Sequence, residues 1–230
     1  PQSAYYEMYG FEGVRVLEQT IGYAKEKGLY VIADVKRNDI GTTAEAYAKA
    51  YIGETEIEDL KVQAFGADSA TVNPYLGTDG IKPFLYNDKS IFVLVKTSNP
   101  SSGELQDIPL ENGTVYEHVA TLVKQWGGDF VGEYGYSNVG AVVGATYPSQ
   151  LEELRAFMPN TYFLVPGYGA QGGTASDVAK AFNKDGLGAI INASRSIMCA
   201  YKKAGCDESD FAKAARDEAV RMRDEINSFI

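Results

Sequence analysis

The feature that most constrains the fold is a repeated alternation of short apolar runs, rich in β-branched residues, with longer amphipathic stretches. The runs predict strands, and the amphipathic stretches predict helices. Strict alternation of strand and helix is typical of a parallel sheet with helices outside it. We expect strands near 30–35, 69–72, 91–96, 141–143, 162–165 and 189–191, and helices near 11–27, 43–65, 114–127, 149–157 and 174–184, with a last helix from about 207.

The strand count sets the choice of architecture. No linker-like stretch divides the 230 residues, so we expect one domain over 1–230. A (β/α)8 barrel needs eight strands, and the pattern predicts six. We therefore interpret the chain as a (β/α)8 barrel that lacks strand 1 and most of strand 2. An open, doubly wound sheet fits six strands too, but no Gly-rich fingerprint follows a first strand to support it.

Helix starts are marked by a capping-box pattern, in which Ser or Thr precedes Glu by three residues. The pattern occurs at Thr42, Thr55 and Ser149.

Composition narrows the possible partners. The formal net charge of −10 argues against a nucleic-acid surface, which needs a basic stripe. No apolar run is long enough to span a bilayer, so we expect no membrane partner. Cys199 and Cys206 predict a reduced pair in a cytoplasmic protein. A single histidine, His118, predicts no metal site.

The strongest candidate for chemistry is the run Asp34-Val35-Lys36-Arg37-Asn38-Asp39, at the end of the first predicted strand. Side chains alternate along a strand, so Asp34 and Lys36 point to the same face. Two inward charges are costly unless they are paired or used. A self-satisfied buried ion pair is the structural alternative. Asp39 adds a third charge and favours an array that is held ready for a substrate.

Two segments that follow later strands favour an anion site. The Gly-rich run 166–173 comes after the seventh barrel strand, and Asn192-Ala193-Ser194-Arg195 comes after the eighth. Barrels often bind phosphate with the loops after these two strands. Glycines let backbone N–H groups approach an anion, and Arg195 supplies a fixed fork of donors. A Gly-rich turn alone is more often only a turn, so the prediction of an anion site rests on the two segments together.

The loop from Lys96 to Gly113 is long and polar for a compact barrel. Its length predicts a lid or a disordered insertion. Ser98, close to the strand end, is placed to reach a carbonyl or ring nitrogen of a ligand. A solvent-facing serine is the alternative.

Together these motifs resemble the orotidine 5'-monophosphate decarboxylase family. Asp34-x-Lys36-x-x-Asp39 is similar to its signature, and segments 33–41 and 72–75 resemble its longer bacterial subfamily, type 2. The motifs occur in the family's order over essentially the whole chain. The resemblance implies decarboxylation of orotidine 5'-monophosphate to uridine 5'-monophosphate in de novo pyrimidine biosynthesis, with no cofactor and no metal.

The resemblance also implies roles for individual residues. Lys36 would protonate C6 of the pyrimidine as carbon dioxide leaves, Asp34 would lie against the substrate carboxylate, and Asp39 would complete the charge array in the neighbouring subunit. A homodimer with shared sites follows, and Thr43 would also act across it. The residues that would bind the nucleotide are Thr43, Ser98 on the pyrimidine edge, Pro166, Gln171 between base and phosphate, Gly173, Ser194, and Arg195 on the phosphate.

The chain departs from the family pattern in one respect, and two alternative functions stay open. The family also uses an aspartate on strand one and a lysine on strand two, so we expect the natural protein to extend upstream of Pro1 and this chain alone to lack a fully competent site. A magnesium-dependent sugar-phosphate decarboxylase or aldolase of the same barrel superfamily is one rival, and Ser98 and Gln171 favour the nucleotide over it. A non-catalytic phosphate-ligand binder is the other, and it would not need the inward charges of the array.

Overall fold

The computed structural model describes residues 1–169 and 172–230, which form an α/β fold. Short strands alternate with helices along the chain, as the sequence pattern predicts. In chain order the strands are β1 (Ile32–Arg37), β2 (Thr55–Ile57), β3 (Leu60–Val62), β4 (Ser69–Val72), β5 (Ser90–Lys96), β6 (Pro109–Leu110), β7 (Gly113–Thr114), β8 (Ser137–Val143), β9 (Thr161–Val165) and β10 (Ala189–Ile191).

Helices connect most of these strands. In chain order they are α1 (Ala4–Glu7), α2 (Gly10–Glu26), α3 (Gly41–Tyr51), α4 (Thr78–Ile81), α5 (Gly103–Gln106), α6 (Val115–Gly127), α7 (Pro148–Phe157), α8 (Ala175–Ala179), α9 (Arg195–Met198), α10 (Ala200–Ala204) and α11 (Phe211–Asn227). Single 3₁₀ turns occupy Lys82–Phe84, Pro100–Ser102, Gly128–Phe130 and Glu208–Asp210.

Six strands form one sheet in the order β1-β4-β5-β8-β9-β10. The pairs β1–β4, β4–β5 and β9–β10 are parallel, which confirms the parallel sheet predicted from the strand–helix alternation. Two small antiparallel hairpins, β2–β3 and β6–β7, stand apart from this sheet. Because β5 is paired as a parallel strand after β4, the helical segment between them makes the crossover that such pairing requires.

The chain forms two compact units, one of Pro1–Leu94 with Thr121–Ala141 and one of Val95–Ala120 with Val142–Ile230. The expectation of a single domain stays a prediction. In the first unit, Leu17 and Ile21 of α2 are fully buried, as are Ala44 and Ala48 of α3. Their spacing of four residues puts each pair on one helix face, and the buried faces supply the apolar core that stabilises the unit.

The core of the second unit contains a buried cation. Arg155 of α7 donates to the carbonyl oxygens of Gly188 at 3.0 Å and Thr161 at 2.9 Å, and also to that of Met158. Its guanidinium lies 4.1 Å from the centre of the Phe163 ring. Arg155 therefore ties the end of α7 to the start of β9 and to the loop before β10, because its two terminal amino groups donate to backbone carbonyl oxygens.

The single helix predicted over 43–65 is wrong. The structure ends α3 at Tyr51 and forms the β2–β3 hairpin from 55 to 62. A Cβ at Gly53 would lie 2.6 Å from the Tyr86 hydroxyl, so a larger residue at this turn would displace the Tyr86 side chain. The two-residue hairpin turn places Glu58 at a φ of +54°, a conformation that no helix contains.

The capping boxes predicted at Thr42, Thr55 and Ser149 do not form. Thr55 lies in the hairpin, and α3 and α7 have Ile40 and Tyr147 as N-caps, neither of which makes a side-chain capping bond. A reciprocal box occurs instead at α8, where Thr174 and Asp177 bond to each other's backbone. Asp replaces Glu in this box, which is why a search for Glu at the third helical position missed it.

The polar loop after β5 has secondary structure of its own. It contains a 3₁₀ turn, α5 and the β6–β7 hairpin, so the disordered-insertion alternative is wrong and the lid stays a prediction. Cys199 and Cys206 are both free thiols. Among the described residues, no helix has the length and apolar character that crossing a bilayer would require.

Candidate active site

An aspartate and a lysine form an ion pair at the carboxyl end of β1. The Lys36 Nζ donates to Asp34 Oδ1 at 2.5 Å. The Lys36 side chain is 44% exposed and that of Asp34 31% exposed. The structure thus brings together two of the three charges of the predicted array, and it leaves the ammonium group in contact with solvent.

A β-bulge positions this pair. In the β1–β4 register Ala33 faces Ala70, yet Arg37 faces Val72, so β1 carries extra residues between the two pairs. Such a bulge re-aims the side chains of the strand. The three residues inside it are Asp34, Val35 and Lys36.

Thr71 of β4 fills the bulge. Its Oγ1 accepts the backbone N–H groups of Val35 and Lys36, each at 2.9 Å, and donates to Asp34 Oδ1 at 2.8 Å. Thr71 is buried. Sequence reasoning missed this residue, and the available signal was a hydroxyl inside the run Ser69-Ala70-Thr71-Val72, which is otherwise suited to a fully buried strand.

Lys36 has an unusual backbone conformation. Its φ is +48°, in the left-handed region that favours glycine. A lysine held there costs about 1 kcal/mol or more, and conformations of this kind concentrate at functional sites. The strain and the exposure together favour a chemical role for Lys36 over that of a purely structural ion pair.

Asp39 and Thr43 follow β1 in the first unit. Asp39 is half-buried, and its Oδ1 accepts the backbone N–H of Ile40 at 2.8 Å. Thr43 is exposed on the first turn of α3. This hydrogen bond of Asp39 is therefore local, and Thr43 presents its side chain to solvent.

The Gly-rich segment after β9 folds on itself in the second unit. Gly173 N–H donates to the Gly167 carbonyl at 3.1 Å, and Gly169 N–H donates to the Gly173 carbonyl at 2.9 Å. The Pro166 carbonyl accepts the N–H of Ala145 at 2.8 Å. A Cβ at Gly173 would lie 2.9 Å from both Ala145 Cβ and the Gly167 carbonyl oxygen, so only glycine fits there. Gln171, with Ala170, lies outside the described residues.

Tyr168 anchors this segment to the last helix. Its hydroxyl donates to Glu225 Oε2 of α11 at 2.7 Å. Burial of the phenol and the neighbouring Glu225 carboxylate raise the pKa of Tyr168 to about 12. The neutral phenol is therefore the favoured form, and it keeps its proton in the bond to Glu225.

The remaining predicted residues lie at the ends of β5 and β10. Ser98 is half-buried, and its carbonyl accepts the Thr146 hydroxyl at 3.3 Å. Ser194 is exposed at the N-cap of α9, and Arg195, also exposed, is the first residue of that helix. Within 1–169 and 172–230, no three His, Cys, Asp or Glu side chains are grouped as a metal site would require.

These observations define a class. The chain is an α/β protein of the enzyme type whose polar groups follow the carboxyl ends of parallel strands, with a lysine–aspartate ion pair on one of them. The family model described as "Orotidine 5'-phosphate decarboxylase / HUMPS family" matches residues 1–205, and the chain belongs to that family.

Curated relatives agree with this assignment. The chain is 45% identical over 233 residues to orotidine 5'-phosphate decarboxylase of Caldicellulosiruptor bescii, covering 100% of this chain and 76% of the relative. It is 46% identical over 234 residues to the protein of the same name from Rhodopirellula baltica, covering 98% of this chain and 76% of the relative.

A solved structure has the same fold. The OMP decarboxylase of Leishmania donovani matches with a TM-score of 0.77 at 34% identity, over 98% of this chain and 80% of that one.

Proposed function

We propose that this chain catalyses the decarboxylation of orotidine 5'-monophosphate to uridine 5'-monophosphate in pyrimidine biosynthesis, without a cofactor. The observation that carries the proposal is the Lys36–Asp34 pair on its bulge, in a chain of the decarboxylase family. The pair supplies an ammonium group that has a proton to give and a carboxylate beside it.

The proposed chemistry is a single exchange at C6 of the pyrimidine. The bond from C6 to the carboxylate carbon breaks, and its electron pair stays on C6 while carbon dioxide leaves. The Lys36 ammonium gives its proton to C6, and the lysine later regains a proton from water. General acid catalysis of this kind contributes about 10²- to 10⁴-fold in rate.

Asp34 is proposed to face the departing carboxylate. Two like charges about 4 Å apart, at an effective dielectric of about 20, repel by about 4 kcal/mol. The repulsion is relieved as the carboxylate leaves, and the charge that develops on C6 is attracted to Lys36. Thr71 supports this role because its hydroxyl holds Asp34 Oδ1 in place.

The other residues are proposed to bind the nucleotide. Arg195 would hold the phosphate through its guanidinium fork, because such groups match phosphate geometry. Ser98 would bond the edge of the pyrimidine. Further contacts would come from Pro166, Gln171, Gly173 and Ser194.

The assembly and fold follow from the same proposal. Asp39 and Thr43 would act in the site of a second copy, which makes the active species a homodimer. The six parallel strands would belong to a (β/α)8 barrel that is a single cytoplasmic domain, an inference supported by the strand order and by the family.

The test is loss of orotidine 5'-monophosphate, followed by ultraviolet absorbance with EDTA present. We expect Lys36→Ala to lower turnover by at least about 10²-fold relative to the same protein with Lys36 intact. Lys49→Ala serves as the matched control because it removes a lysine from another ion pair, with Glu45, and should leave the rate unchanged. Turnover only on sugar phosphates with added magnesium would overturn the proposal.

A further inference from the structure

Lys96 is a buried cation that the proposed chemistry does not use. It is the last residue of β5, and its side chain is 0% exposed. The Nζ donates to Asp107 Oδ1 at 2.6 Å and to Ser102 Oγ at 3.4 Å. The ring centres of Tyr147 and Tyr116 lie 4.7 and 5.4 Å from it. Burying an ammonium group is costly unless such partners compensate for the lost water.

The next residue makes a second tie to the same segment. The Thr97 backbone N–H donates to Gln106 Oε1 at 2.9 Å, and Gln106 Nε2 donates back to Thr97 Oγ1 at 2.7 Å. Residues 96 and 97 are thus bound to residues 107 and 106. We name these four residues, Lys96, Thr97, Gln106 and Asp107, the β5 clasp.

Ser98 follows the clasp directly and is confined on its other side. The Thr146 hydroxyl donates to the Ser98 carbonyl at 3.3 Å. A Cβ at Gly144 would lie 2.9 Å from Ser98 Cβ and from Ser98 N, so the backbone at 144 packs closely against this serine. Ser98 therefore lies between two restraints, and only the clasp depends on side-chain charges.

We propose that Lys96 is a positioning residue that holds Ser98 in place for the pyrimidine through the β5 clasp. The inference rests on the proposed function, because that function gives Ser98 its ligand. Lys96 acts through the backbone of residues 96–98 and does not touch the substrate. A displacement of about 1 Å in a positioning group can lower a rate by about 10²-fold, so a loss of up to this size is expected when the clasp is broken.

A double-mutant cycle tests the proposal. Lys96→Met, Ser98→Ala and the double variant are compared in kcat/KM for orotidine 5'-monophosphate. If Lys96 acts through Ser98, each single change lowers kcat/KM about 10- to 100-fold, and the double variant is no worse than Ser98→Ala. Losses that multiply in the double variant would overturn the proposal, since they mean that Lys96 acts independently of Ser98.

Two controls separate positioning from general stability. Lys96→Arg keeps a buried cation and should restore most of the activity that Lys96→Met loses. Inhibition by ribose 5-phosphate, which has no pyrimidine, should be the same for Lys96→Met and the wild type. If Lys96→Met does not fold, Gln106→Leu breaks the second tie alone and takes its place in the cycle.

Calorimetric binding of uridine 5'-monophosphate distinguishes failure of the clasp from failure of the proposed function. A chain without turnover that binds this nucleotide still allows the same cycle to be measured in Kd, with the same expected non-additivity. A chain that neither turns over nor binds it would overturn both proposals. An active chain with additive losses would overturn only the clasp.

Discussion

Lys36 is the last residue but one of β1 and Lys96 is the last residue of β5, and each pairs with an aspartate at nearly the same distance, 2.5 and 2.6 Å. Their surroundings differ in every other respect. Lys36 is partly exposed and has a left-handed backbone, whereas Lys96 is enclosed by two tyrosine rings and has an ordinary φ. The distance within the ion pair therefore does not distinguish the two lysines. Exposure and backbone strain do distinguish them, and the different roles proposed for the two lysines rest on these two properties.

Removing the carboxylate charge from each pair tests the difference between the two lysines most directly. Asp107→Asn leaves Lys96 buried without a counter-charge, and we expect the free energy of unfolding to fall by about 2 to 3 kcal/mol. Asp34→Asn affects a partly exposed pair and should cost about 0 to 1 kcal/mol. Urea unfolding of both variants measures the difference. Equal losses would mean that the two ion pairs contribute equally to the free energy of unfolding.

The backbone difference gives a second prediction, of smaller size. At position 36 glycine should be more stable than alanine by about 1 kcal/mol, because only glycine adopts the φ of +48° without strain. At position 96 the order should reverse by about 0.5 to 1 kcal/mol, since glycine weakens a strand of ordinary φ. Thermal unfolding of the four variants provides the measurement. If glycine and alanine have the same order of stability at both positions, the backbone of Lys36 is not strained.

The pH dependence of stability tests a second anchoring contact, the hydrogen bond between Tyr168 and Glu225. The pKa of Tyr168 is raised to about 12 in the folded chain, against about 10 for a free phenol. The folded state then holds the proton more tightly, so the stabilisation is complete below about pH 10 and is lost as pH rises towards 12. We expect the wild type to lose stability more steeply than Tyr168→Phe between about pH 10 and about pH 12, the interval between the unfolded and the folded pKa of Tyr168.

Urea unfolding at each pH measures the two slopes. Tyr75→Phe changes an exposed phenol and should follow the wild-type slope. Parallel slopes for wild type and Tyr168→Phe would show that the Tyr168–Glu225 bond does not anchor the Gly-rich segment.

The regular parts of the fold were predictable because they depend on local pattern. The strands at 69–72 and 189–191 are confirmed at both ends, since each is a short apolar run between polar breaks. The helix over 43–65 failed because a strand pair with its turn at Glu58 replaced the second half of an apparently helical stretch. The period-two alternation of Thr55-Glu56-Ile57 was the signal that could have shown it.

The charged residues of the candidate site were predictable from the sequence, but the bulge and the side chains that hold them in position were not. Alternation along a strand put Asp34 and Lys36 on one face, and they do meet. The bulge and Thr71 depend on how β1 pairs with β4, 35 or more residues away along the chain, and the sequence has no local sign of that register. Lys96 shows the same limit, because its burial is set by Tyr116 and Tyr147, which come from two separate segments.

The hydroxyl of Thr71 has a consequence for proton traffic. A hydroxyl has one hydrogen and two lone pairs, and here both lone pairs accept backbone N–H groups, so its hydrogen points to Asp34. Oδ1 of Asp34 can then only accept from Thr71 and cannot pass a proton to it. The Thr71 hydroxyl therefore cannot take up a proton from Asp34 Oδ1, and the contact of this oxygen that carries an exchangeable charge is the Lys36 ammonium group.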